Sequence, residues 1–69
     1  MRPEFLDLEA IFDLAMMFET QAMDLYGRLA QQAQRPEVRA LFLKLVDEEK
    51  LHLGFLEKEM ARMLAGGRA

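Results

Sequence analysis

The stretch Gln31-Gln32-Ala33-Gln34-Arg35-Pro36-Glu37-Val38 is where helical periodicity stops and then restarts. The residue before a proline is pushed out of the helical region, so a helix arriving from the N-terminal side ends by Arg35. Pro36 is suited to open the next helix, because its missing N–H is one that a first turn leaves unpaired anyway. Glu37 then sets negative charge against the positive end of that helix. The stretch reads as helix, tight connection, helix.

Working back from the break, apolar residues recur at helical spacing as far as Pro3, with Glu4, Asp7 and Glu9 as first-turn acids. A first helix is expected over about residues 3–34, the turn at 35–36, and a second helix over about 36–64. Gly66-Gly67 supplies the usual C-terminal stop. No β-alternation, repeat or low-complexity tract interrupts this pattern. The chain is therefore expected to be all-α, a single half-domain over 1–69 folded as an antiparallel two-helix hairpin.

The apolar positions follow a 3-4 spacing. In the first helix the walk passes through Phe5, Leu8, Phe12, Ala15, Glu19, Ala22, Tyr26, Leu29 and Ala33. In the second it passes through Val38, Phe42, Leu45, Glu49, His52, Leu56, Met60 and Met63. Both are seams of the kind that face a bundle core. Asp13, Thr20, Asp24, Gln31 and Gln34 form the polar side of the first helix, with Asp24 and Arg28 a favourable i,i+4 pair. Leu43, Leu51, Leu53 and Phe55 lie off the second seam, too many for a lone hairpin to cover. With 52% hydrophobic residues on a chain of 69, a homodimer forming a four-helix bundle is the first expectation, and a larger homo-oligomer is compatible with it.

Composition narrows the function. No cysteine is present, which excludes disulfides and thiolate metal sites, including a built-in rubredoxin. The net charge of −3 argues against a nucleic-acid surface. No apolar run approaches the ~20 residues that span a bilayer, so no membrane partner is expected. Asp7, Glu9 and Asp13 break up any signal-peptide core, and a cytoplasmic location follows as the expectation.

Three polar residues occupy seam positions. Glu19 lies among Ala15, Met16, Ala22 and Met23, and Glu49 among Leu45, Val46, Leu53 and Leu56. His52 follows Glu49 at i+3, on nearly the same side. An unpaired buried carboxylate costs several kcal/mol, so the group asks for a common partner. Glu19 lies about 16 residues before the break and His52 about 16 after it, which at ~1.5 Å per residue puts them level. A two-fold dimer then gathers four glutamates and two histidines. That is the donor set of di-iron and di-manganese carboxylate bundles, with Glu-x-x-His supplied here by Glu49-Lys50-Leu51-His52. Four carboxylates balance two divalent ions. Iron or manganese suits mixed oxygen and imidazole donors, and zinc binds them too. Against this stands a plainer reading, a buried Glu/His network that fixes helix pairing in a non-catalytic dimerisation module. Tyr26 is ordinarily core packing, the methionines gap-filling, and Glu48 a solvated acid with Lys44 at i−4 or an accessory group beside the site.

Over residues 12–56 the chain resembles the rubrerythrin branch of the ferritin-like superfamily. The resemblance rests on Glu19 with Tyr26 seven residues on, Leu29-Ala30, the connection Arg35-Pro36-Glu37-Val38 into Leu41-Phe42, and Glu48-Glu49-Lys50-Leu51-His52. Rubrerythrins carry two such hairpins and this chain one, so it is most similar to the half-length encapsulated ferritins. The resemblance implies a ferritin-like bundle with Glu19, Glu49 and His52 as metal ligands and catalytic centre, two irons per dimer, and Tyr26 behind the ligands. It implies a ferroxidase that oxidises Fe(II) with oxygen or peroxide for iron storage or detoxification, or a rubrerythrin-like peroxide scavenger. It also brings in an encapsulin shell as a partner and a protein nanocompartment as a location. Phe18 and Gln21 stand where encapsulated ferritins have acidic iron-uptake residues, and Gly66-Gly67-Arg68-Ala69 is unlike their targeting tail.

Overall fold

The computed structural model describes residues 7–66, which form two α-helices and no strand. Helix α1 runs Leu8–Gln32 and helix α2 runs Pro36–Gly66. The expected helix start at Pro3, the seam position Phe5 and the last three residues of the tail lie outside the described residues.

Helix α1 begins later than the sequence pattern indicates, and the reason is a cap. Asp7 holds extended backbone (φ −76°, ψ 172°), and its side chain accepts a 2.7 Å hydrogen bond from the Ala10 N–H. An aspartate that satisfies an orphan N–H in this way is worth about 1 kcal/mol to the helix. At the other end α1 stops at Gln32 rather than 34. Ala33 turns extended while its N–H still bonds the carbonyls of Leu29 and Ala30 at 3.0 and 3.4 Å.

Pro36 opens α2, and the carbonyl of Arg35 accepts from the N–H groups of Val38 and Arg39 at 3.1 and 3.0 Å. The Arg39 guanidinium reaches back to the Ala33 carbonyl at 2.8 Å, so the first turn of α2 caps the end of α1. Arg35 bonds Glu37 beside it. These contacts leave a connection too short for anything but an antiparallel return. Helix α2 continues through Gly66, two residues past the expected end.

The seams meet, with three corrections: Leu8, at the start of α1, is 37% exposed, and Leu29 and His52 depart from the expected burial as well. Phe12, Ala15, Glu19, Ala22 and Tyr26 of α1 and its C-cap Ala33 are half-buried, as are Val38, Phe42, Leu45, Glu49, Leu56, Met60 and Met63 of α2. Leu29, however, is 37% exposed, and Ala30 beside it is the one fully buried residue among those described. Near the tight connection the helices approach where a methyl group fits and a leucine does not. His52 is exposed rather than embedded. It sits three residues, roughly 60° short of a full turn, from inward-facing Glu49, and a hairpin only 10 Å thick across its Cα atoms has no second layer there.

Half of the uncovered large apolar residues gather on one face, while Leu8, Leu14, Met17, Leu43, Leu51 and Leu64 lie off it. Taking Glu19 and Glu49 as the inward direction, Ile11, Phe18, Leu25 and Leu29 run along one side of α1 at 37–64% exposure. In an antiparallel pair, the side one residue back from the inward position lies on the same face of the hairpin for both helices. Leu41, His52 and Phe55 of α2 therefore share that face with them.

Candidate metal centre

Each helix supplies its part of the site from the half-buried seam. Glu19 comes from the middle of α1, and its side chain is 26% exposed; Glu49 comes from the middle of α2 at 17%. His52 stands on the rim at 61%, one turn from Glu49. The equal arms on either side of the connection bring all three to one depth. The imidazole Nδ1 lies 3.4 Å from Glu49 Oε1 and 3.7 Å from Glu19 Oε1. One ligand atom from each residue lies within 4.8 Å of the others.

These separations are longer than hydrogen bonds. Donors each ~2.1 Å from a metal sit about 3.0–3.4 Å apart, so the His52–Glu49 pair is already at that spacing and the His52–Glu19 pair lies slightly beyond it. Neither carboxylate has a lysine or arginine partner among the described residues. The arginines pair elsewhere: Arg28 with Asp24 as the i,i+4 spacing predicts, Arg35 with Glu37, and Arg62 with Glu59. Two half-buried carboxylates without a basic partner fit a cation, and the Glu19/Glu49/His52 group can hold one.

The structure brings together the three residues singled out as ligands and places Tyr26 apart. Tyr26 lies two turns along α1 from Glu19, and its ring packs on Phe42 with centroids 5.9 Å apart and planes tilted by 42°. Its hydroxyl makes no hydrogen bond to the three in its own chain. That is the environment of a core aromatic.

A family model described as Rubrerythrin matches residues 10–67, nearly the whole chain and all three candidate ligands. The chain belongs to the rubrerythrin family. Membership in this family points to iron binding and to oxidoreductase-type chemistry. No curated protein and no solved structure matches the chain. Among the described residues, no helix of this rubrerythrin-family chain is long and apolar enough to cross a membrane.

Proposed function

We propose that the chain is a ferroxidase-type oxidoreductase whose active unit is a homodimer, with two iron ions held between the chains. The observation that carries this reading is the convergence of Glu19, Glu49 and His52 beside an apolar face that one hairpin leaves open. One chain offers three donors, too few for two ions. Two chains facing each other offer six, and their four carboxylates neutralise two divalent cations. Pairing through that face also buries Phe18, Leu25 and Phe55, and each large apolar side chain fully buried contributes about 1.5–3 kcal/mol.

Within such a site the roles divide plainly. Glu19 and Glu49 hold Fe(II) and offset its charge, and His52 adds a neutral imidazole donor from the rim. Two ferrous ions give up one electron each, and oxygen takes these with two protons and leaves as hydrogen peroxide. With peroxide as oxidant, the same two electrons and two protons yield two waters. The surrounding apolar side chains exclude water and fix the donors. Membership in the rubrerythrin family supports peroxide reduction as the second reading. An encapsulin shell is a partner that only the resemblance suggests.

Anaerobic Fe(II) titration of the metal-free protein, followed by air, tests the proposal. Two irons bound per dimer and a ferric absorbance on aeration are the expected result. Glu19→Ala removes both signals. Ferric iron that leaves the protein supports the ferroxidase, and ferric iron retained until a reductant is added supports peroxide scavenging. If no stoichiometric binding occurs, the three residues are a structural network and the metal reading is wrong.

A further inference from the structure

Three methionines of the described residues, Met16, Met17 and Met23, lie close to Glu19 along α1. Their directions differ. Met17, two residues before Glu19, faces nearly opposite to it and is 44% exposed. Met16 and Met23 stand one turn before and one turn after Glu19, on its side of the helix, and both are half-buried. Met60 and Met63 lie well beyond His52, near the far end of α2.

Of these, Met23 lines an open groove on the face opposite Phe18 and Phe55. Val46, one turn before Glu49, lines it from α2, so the near end of the groove abuts the donor set from both helices. Beyond Met23 there is room: a Cβ added at Gly27, one turn on, meets nothing within 4 Å. The proposed dimer covers the other face, so in that assembly the groove stays in water, one layer of side chains from the donors. A wall there needs only apolar bulk, which leucine supplies with better-defined packing. A thioether adds a polarisable sulfur that peroxide oxidises.

We propose that Met23 is a sacrificial thioether that intercepts hydrogen peroxide as it leaves the metal centre on the groove side. This rests on the ferroxidase reading above and adds to it the fate of peroxide that escapes. The sulfur attacks one peroxide oxygen, and an S–O bond forms as the O–O bond breaks. Two electrons pass from sulfur to the peroxide, and the departing oxygen leaves as water with both protons. The product is methionine sulfoxide, which methionine sulfoxide reductases return to the thioether. Because Met23 borders the groove, the polar oxygen gained meets water and the hairpin keeps its fold.

The test locates sulfoxide by peptide mass spectrometry after aerobic Fe(II) oxidation in the presence of catalase, and after peroxide is added to the iron-free protein. Catalase removes only peroxide that has reached bulk water. With iron and catalase, sulfoxide at Met23 is expected several-fold above that at Met17. Added peroxide gives the reverse order, because it selects for exposure. Met23→Leu keeps the number of Fe(II) ions bound and, without catalase, raises the peroxide that reaches solution per iron oxidised. Iron oxidised with Met23 still a thioether, sulfoxide at Met16 in its place, an equal preference for Met23 with added peroxide, or an unchanged peroxide yield in Met23→Leu overturns the role of Met23 alone. No iron binding or oxidation by the unaltered chain overturns the metal centre and this role together.

Discussion

The two broad faces of the hairpin are built from the same helices and differ in what they leave uncovered. One exposes Ile11, Phe18, Leu25, Leu41 and Phe55 around His52. The other exposes Asp13, Thr20, Asp24 and Gln31, with Thr20 bonded back to the Met16 carbonyl at 2.9 Å and Asp24 paired with Arg28. It carries an open groove of about 390 Å³, lined by Met23, Gly27, Leu43 and Val46 below a polar edge of Asp24, Arg28 and Gln31. A single layer of two helices buries one residue fully and leaves an apolar surplus of the kind that marks interaction sites. Half of that surplus lies on the side where His52 emerges, while Leu43 is exposed at the groove and Leu51, at 74%, lies off that side. In the proposed dimer this asymmetry ties assembly and chemistry to one surface.

The largest effect expected from that asymmetry is on pairing. Phe18 and Thr20 lie at nearly the same depth of α1 on opposite sides, so an aspartate at each is a matched probe. Phe18→Asp is expected to weaken the dimer at least a hundredfold, about 3 kcal/mol, because two phenylalanines leave the interface. Thr20→Asp leaves the dimer intact. Analytical ultracentrifugation of both variants decides the matter, and equal weakening would erase the distinction between the faces.

A smaller effect concerns the metal. Stripping it leaves four carboxylates converging in one apolar space, where they repel, so dimerisation weakens by about tenfold without Fe(II). An unchanged dimer population in sedimentation runs with and without Fe(II) would uncouple pairing from the site.

The smallest effect belongs to the groove side. A Cβ added at Gly27 meets nothing within 4 Å, so Gly27→Ala is expected to raise stability by about 0.4–1 kcal/mol in thermal unfolding. Assembly stays unchanged. Loss of the oligomer in Gly27→Ala would instead show that both faces are covered by protein.

Much of this arrangement was legible in the residues. Arg35-Pro36 marks the break through local sterics alone, and the equal spacing of Glu19 and His52 from it follows from helical rise. Other features depend on three-dimensional neighbours. The start at Leu8 was obscured because Asp7 is one of several early acids, and a capping side chain looks the same in sequence as a first-turn charge. The exchange of Leu29 for Ala30 in the core reflects how closely the helices converge near the connection, a distance no 3-4 walk contains. The exposure of His52 was missed because a seam position implies burial only when a second layer exists.

The short connection with its Arg39-to-Ala33 clasp has one more consequence. It works as the zero point of a differential gauge: alignment of Glu19 with Glu49 and His52 depends on the difference between two arm lengths, and hardly on either length. Deleting seven residues from one arm would slide the donors about 10 Å apart, whereas removing seven from both would return them to level. A hairpin of this kind can thus grow or shrink by matched pairs of turns while the donors stay aligned, and only mismatched change is forbidden.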